Sequence, residues 1–114
     1  MDKQIASDCP VANTLSVIGS AWTCLILREL LLHGARRFHD FQGALIGIAP
    51  TTLSERLKSL ELNGIVERRF YQMGPPRAEY MLTSKGRDLG PIIKAMRTWG
   101  RDYPRQLGPM LSQS

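Results

Sequence analysis

Along most of this chain apolar residues recur in steps of three and four, and only one stretch switches to short alternating runs. The first spacing places side chains on one face of a helix, the second on one face of a strand. Val11, Leu15 and Ile18 form the first helical stripe. It follows Pro10, whose missing N–H is harmless in a first turn, with Cys9 at the capping position and Gly19 as the stop. A second helix, capped by Ser20 and ended by Gly34, carries Trp22, Leu25, Ile26, Leu27, Leu30, Leu31 and Leu32 around a thin polar seam of Thr23, Arg28 and Glu29. A helix apolar nearly all round is a buried, central one. After Arg36 and Arg37 the pattern predicts a third helix over about residues 39–44, with Phe38, Phe41 and Leu45 turned inward.

A loop over residues 46–49 leads to Pro50, which restarts helical structure, and Leu53, Leu57 and Leu60 then repeat until Asn63 and Gly64 supply the stop. Ala49 stands just before this helix and offers no side-chain cap, a loss of about 1 kcal/mol unless another group satisfies the free N–H donors. Leu62 points about 180° away from Leu53, where solvent is expected. Residues 65–72 are rich in β-branched, aromatic and arginine side chains. Met73-Gly74-Pro75-Pro76 and a second run over 77–82, with Ala78, Tyr80 and Leu82 on one face, complete a β-hairpin with a stiffened tip. Thr83 caps a last helix in which Leu89, Ile92, Met96, Trp99 and Tyr103 form a seam suited to another helix. Pro91 is expected to kink it near its start, and Pro104 to end it.

Two short helices around a glycine-containing turn, an arginine-flanked hairpin and a closing helix give an α+β, mainly α architecture: a winged helix-turn-helix with a two-stranded wing and added N- and C-terminal helices for dimerisation. In this arrangement the helix opened by Pro50 is the one that enters a DNA major groove. With 114 residues there is room for one domain, expected over 9–104, with loose tails at 1–8 and 105–114.

Composition changes this picture in one respect. Fifteen Lys and Arg against ten Asp and Glu leave a formal charge of +5, and 11 of the basic residues are arginine, the side chain suited to bidentate phosphate contact. Such an excess attracts polyanions. Residues 1–10 carry Asp2, Lys3 and Asp8 and lack the apolar run of a secretory signal. The greasy residues 21–32 are broken by Arg28 and Glu29 and fall short of the ~20 needed to span a bilayer. A cytoplasmic protein without a membrane partner is expected, and in that compartment Cys9 and Cys24 read as free thiols.

The chain also carries a series of short motifs: Cys9-Pro10, Gly19 with Trp22-Thr23, Leu27-Arg28-Glu29-Leu30, Arg37-Phe38, Gly47-Ile48-Ala49-Pro50 and Leu53-Ser54-Glu55-Arg56-Leu57. They continue through Asn63-Gly64-Ile65-Val66, Pro75-Pro76-Arg77 and Tyr80-Met81-Leu82-Thr83 to Trp99-Gly100. In their order and spacing these resemble the HxlR family of bacterial winged helix-turn-helix transcriptional regulators. The resemblance implies a homodimer that binds an operator near the genes it controls, often in answer to electrophiles, quinones, aldehydes or oxidants.

With Leu53 taken as the inward direction, Thr51, Glu55 and Lys58 face outward and Thr52, Ser54 and Ser59 flank them. Hydroxyls can meet base edges or phosphates, Glu55 can accept from a cytosine amino group, and the helix start at Pro50 can hold a phosphate. An ordinary solvated face is the alternative. Arg56 lies nearer the rim, where a phosphate contact and a structural ion pair are both open. Arg68, Arg69 and Arg77 bracket the wing; since neighbours on a strand face opposite ways, one of Arg68 and Arg69 can point at DNA while the other pairs with Glu67 or Glu79. Arg36 and Arg37 are candidates for phosphate clamping or plain surface charge.

A small domain rarely needs five more large apolar residues in a terminal helix. Ile92, Met96, Trp99 and Tyr103, with Val11, Leu15 and Trp22, are therefore assigned to a two-fold interface, whereas Leu89 fits the core better. That interface would set two recognition helices about 34 Å apart on an inverted repeat. Cys9 holds chemical promise as a thiol at a helix N-terminus, where oxidation or alkylation would tilt the dimer, although Asp8 opposes its activation. Cys24 reads as a small buried hydrophobe.

No glycine-rich phosphate loop, serine nucleophile elbow or carboxylate pair is present, and only His33 and His39 could act as bases, so catalysis is not expected. Cys9, Cys24, His33 and His39 lack close ligand spacing, and no metal or cofactor is expected. The remaining rival is a winged helix used only for protein contacts, since a fold does not fix a function.

Overall fold

The computed structural model describes residues 9–71 and 77–106, with the side chains of Tyr71 and Arg77 left aside. Helices α1 (Pro10–Ile18) and α2 (Ala21–His33) meet at an angle of 80°. A two-residue strand β1 (Arg36–Arg37) follows, then α3 (Phe38–Ala44), α4 (Pro50–Leu62), strands β2 (Val66–Tyr71) and β3 (Arg77–Leu82), a short α5 (Ser84–Arg87) and α6 (Gly90–Asp102).

Helix α2 is central, as its composition predicts: Ile26, Leu27 and Leu30 are buried, and the helix touches α1, α3, α4, α6 and the sheet. Phe41 and Leu45 of the α3 segment and Leu53, Leu57 and Leu60 of α4 complete the core with Ile18, Ile65, Val66 and Ile93. Two members of the polar seam on α2 are nevertheless buried. Thr23 is 4% exposed and Glu29 is 6% exposed. Glu29 escapes the cost of an isolated buried charge because Arg28 Nη2 at 3.1 Å and Arg36 Nη2 at 3.9 Å gather round it, with the His33 imidazole Nε2 at 3.8 Å.

The sheet has three antiparallel strands in the order β1-β3-β2, not the two of a bare hairpin. Arg36 and Arg37 lie opposite Tyr80 and Glu79, covering part of the β3 edge whose N–H and C=O groups would otherwise be open. Two residues are too few to show alternation, so the sequence pattern could not announce this strand. The predicted hairpin strands pair, with Val66 opposite Leu82, Arg68 opposite Tyr80 and Phe70 opposite Ala78. Its tip, with Pro75-Pro76, lies outside the described residues, as does Gln72.

Three boundaries differ from expectation for local reasons. Helix α3 starts at Phe38, one residue before the predicted start, because the Asp40 carboxylate accepts the Arg37 backbone N–H at 2.9 Å and Arg37 occupies the cap position. Strand β2 starts at Val66 because Ile65 closes α4. The Ile65 N–H reaches the Leu60 carbonyl at 2.9 Å and the Gly64 N–H that of Glu61 at 3.0 Å, a Schellman ending with Gly64 at φ +72°. The C-terminal segment is two helices, not one kinked helix. Thr83 caps only α5, its Oγ1 accepting from the Gly86 N–H at 3.0 Å, and Pro91 sits in the first turn of α6, where proline is tolerated. Gly86 is buried so tightly that a Cβ there would run into the Ile65 carbonyl.

Other apolar positions are redistributed. Helix α1 buries Ala12 and Ile18, while Val11 and Leu15 of its stripe are exposed. Helix α6 buries Ile93, a residue outside the predicted seam, and Leu89 packs against the core just before it. The tails expected over 1–8 and 105–114 fall outside the described residues, save for exposed Arg105 and Gln106. Among the described residues no single helix is long and apolar enough to cross a membrane.

Candidate nucleic-acid interface

Helix α4 has three sides with different fates. Leu53, Leu57 and Leu60 point into the core and are at most 1% exposed. Thr51, Glu55, Lys58 and Leu62 are exposed on the far side. The first intrahelical bond joins the Leu53 N–H to the Ala49 carbonyl at 3.0 Å, and Ala49 supplies no side-chain cap for the donors before it. The Thr51 and Thr52 N–H groups are therefore left at the open positive end of the helix. The other end is well tied: Lys85 Nζ donates to the Asn63 carbonyl at 2.8 Å, and the Thr83 hydroxyl donates to the Gly64 carbonyl. The loop over 45–49 and the α3 packing below it complete a helix-turn-helix whose second helix presents a polar face.

One flank of α4 meets the sheet. Ser54, Lys58 and Glu61 line a cleft of about 270 Å³ with Arg68 and Tyr80. Arg68 Nε lies 3.7 Å from a Glu61 carboxylate oxygen, and its guanidinium stands 5.1 Å from the centre of the Phe70 ring. On the opposite face of β2, Arg69 Nη2 pairs with Glu67 at 3.1 Å. The two neighbouring arginines thus split as strand geometry requires, and both remain largely hydrated. Arg77 opens β3 opposite Tyr71. The sequence reading overlooked Glu61 and Tyr80, because no periodic signal links a helix position to a strand position across the turn.

Arg36 is directed at Glu29 and has a buried Nε without a hydrogen-bond partner, whereas Arg37 is exposed at the start of α3. Arg56 and Ser59 occupy the other flank of α4, facing α1 and the start of α2. Thr52 is half-buried and Ser54 exposed.

The apolar residues assigned to an interface are distributed in two ways. Val11, Leu15, Ile92, Met96, Trp99 and Tyr103 are all exposed, Trp99 at 66%, with its ring 5.2 Å from that of Tyr103. Trp22 instead packs partly against the core. Cys9 is exposed and forms no capping bond, although it stands at the N-cap of α1. Cys24 is half-buried and its Sγ donates to the Ile18 carbonyl at 3.1 Å; burial pushes its thiol pKa up.

A family model described as HxlR-like helix-turn-helix matches residues 17–107. An HTH-type transcriptional regulator of Synechocystis sp. is 40% identical over 98 residues, 86% of this chain and 72% of that one. The HTH-type transcriptional regulator YdeP of Bacillus subtilis is 39% identical over 95 residues, 83% and 73% of the two chains. Among solved structures, the redox regulator HypR in its oxidized form aligns with a TM-score of 0.81 at 38% identity, covering 87% of this chain and all of its own. The reduced form of the transcriptional regulator YodB from B. subtilis aligns with a TM-score of 0.73 at 33% identity, covering 88% and 98%.

Proposed function

Because this chain belongs to the HxlR-like helix-turn-helix family of transcriptional regulators, we propose that it is a sequence-specific DNA-binding repressor, acting in the cytoplasm as a homodimer on an inverted-repeat operator. The observation that carries this reading is the division of α4: one side is sealed into the core, and the opposite side, with an uncapped N-terminus, is open and, apart from Leu62, polar. A helix held in that way can enter a major groove with its first turns against base edges, while α3 crosses the backbone. Thr51, Ser54, Glu55 and Lys58 are the base-reading candidates, and Arg37, Arg68, Arg69 and Arg77 the phosphate candidates. Arg36 contributes by fixing β1 against Glu29. The relatives are regulators rather than enzymes, and no catalytic role is assigned.

The dimer rests on the exposed Ile92, Met96 and Trp99 of α6 and Tyr103 at its C-terminal cap, together with Val11 and Leu15 of α1. Sensing rests on Cys9. HypR is named a redox regulator and YodB has been seen after diamide treatment. In this chain the exposed thiol beside the start of α1 is the corresponding candidate for oxidants or small electrophiles.

Footprinting on the chain's native promoter region tests the central claim: a protected inverted repeat is expected, and promoter DNA left unprotected at low salt would favour a module for protein contacts. For the sensing arm, wild type is expected to leave the operator on addition of diamide or a quinone and Cys9→Ser to stay. Equal release of both would remove Cys9 from the account.

A further inference from the structure

A cavity of about 340 Å³ lies on the flank of α4 that faces away from the sheet, near the lower end of the range for small-molecule pockets. It gathers residues distant in sequence: Leu15 and Val17 from α1, Ser20 and Thr23 from the start of α2, and Arg56 and Ser59 from α4. One of them is unsatisfied. The Nε of Arg56 is buried without a hydrogen-bond partner, and among the described residues its guanidinium forms no ion pair. Thr23, 4% exposed, lines the same cavity. Buried polar groups are normally paired, and leaving one unpaired is costly. Ser20 adds a second observation, since it caps the thirteen-residue α2 without a side-chain bond and leaves the positive end of that helix beside the cavity.

The lining decides the class of ligand. It holds one cation, several hydroxyls and a helix N-terminus, and no carboxylate, so the missing partner is an anion. Leu15 and Val17 supply an apolar wall that a bare inorganic ion would leave unused. The geometry points to a binding site for a small organic acid, its carboxylate against Arg56 and the hydroxyls of Thr23 and Ser59, its body against Leu15 and Val17. A DNA phosphate is the competing partner for Arg56, but it would leave Thr23 and the apolar wall without a role. Since Arg56 and Ser59 ride on α4, occupancy would bear directly on the helix assigned to DNA. That consequence alone rests on the DNA-binding reading.

The test uses the full chain without DNA, so its failure is distinguishable from failure of that reading. Backbone amide shifts would be followed by NMR during titration with benzoate, with the neutral isostere benzyl alcohol and with inorganic phosphate. Benzoate is expected to saturate at or below about 1 mM, the weak end of specific binding, shifting residues 15–23 and 56–59. Benzyl alcohol and phosphate should each bind at least tenfold more weakly. Arg56→Gln should weaken benzoate tenfold or more, and Thr23→Val severalfold; the second variant decides should the first not fold. No saturable shift by about 10 mM, equal binding of phosphate or benzyl alcohol, or benzoate binding unchanged in both variants would overturn the site. Loss of operator binding in Arg56→Gln, with no benzoate binding in wild type, would give Arg56 to a DNA phosphate instead.

Discussion

Helices α4 and α6 have equal lengths, thirteen residues, and both carry proline in the first turn, yet they dispose of their apolar residues in opposite ways. The leucines of α4 are sealed inside the chain, whereas α6 buries Ile93 and leaves Ile92, Met96, Trp99 and Tyr103 facing outward. Local signals for starting and stopping a helix are thus shared by an element whose apolar side is sealed within its own domain and one whose apolar side is left exposed. Exposed faces differ accordingly: that of α4 is polar and suited to a charged, hydrated surface, that of α6 is apolar and suited to exclusion of water.

The largest expected effect separates the two faces by salt. If the dimer neutralises about 6 to 10 phosphates, operator affinity should fall about a thousandfold or more between 50 and 200 mM salt. The dimer dissociation constant, resting on apolar contact, should change by less than about threefold over the same range. Operator titrations by fluorescence anisotropy and sedimentation at matched salt check both, and a flat operator curve would undo the assignment of α4.

Next in size is a pair of truncations. Leu57→Ala should lower the unfolding free energy by about 3 kcal/mol through lost burial and a cavity. Trp99→Ala should leave the unfolding of the separated chain nearly unchanged, within about 1 kcal/mol, while weakening self-association at least tenfold. Denaturant unfolding at low protein concentration and sedimentation at micromolar concentration give the two readings. Were Trp99→Ala to cost as much stability as Leu57→Ala, the seam would belong to the domain core and the contrast would vanish.

How far the sequence foretold this contrast depends on the range of the interaction concerned. Periodicity carried the inward sides of α2 and α4, the proline start and glycine stop of α4 and the two runs of the hairpin, because each is set by residues a few positions apart. It did not carry Ile93, which lies one position from the predicted seam on Ile92 and is drawn inward only because α2 lies there. Nor did it carry burial of Glu29, which depends on Arg36 arriving from a strand that itself exists only because β3 offers an edge. Pro91 shows the same ambiguity at short range: a proline can kink a helix or open one, and capping of α5 by Thr83 decided for the second. In the candidate interface the outward residues of α4 were legible, while the partners of Arg68 and Arg69 required the fold.

Those two arginines offer a finer test. If Arg68, on the side of the sheet shared with Glu61 and Tyr80, also meets a phosphate, Arg68→Ala should reduce the log–log salt slope of operator binding by about one. The same change at Arg69, paired with Glu67 on the other face, shows which face of the strand meets the backbone. An unaltered slope in both variants would leave these side chains as internal ties of the wing.

The smallest effect carries the contrast between satisfied and open groups down to single thiols. Cys24 is half-buried and bonded to the Ile18 carbonyl, with its pKa raised by burial, whereas Cys9 stands exposed with no capping bond. Accessibility alone should make Cys9 react with iodoacetamide at pH 7.5 about tenfold faster than Cys24. The linkage has a definite sign. Because the folded state holds the Cys24 proton to higher pH than the unfolded chain does, its contribution to stability is complete below about pH 8.5 and declines as pH rises from there toward the folded pKa. A modest fall in unfolding free energy across that alkaline range, absent from Cys24→Ala, is therefore expected. If Cys24 instead alkylated as fast as Cys9, α2 would have to open at its N-terminal end. The packing that separates the inner helix from its exposed neighbours would then be looser than the core around Ile26 and Leu27 implies.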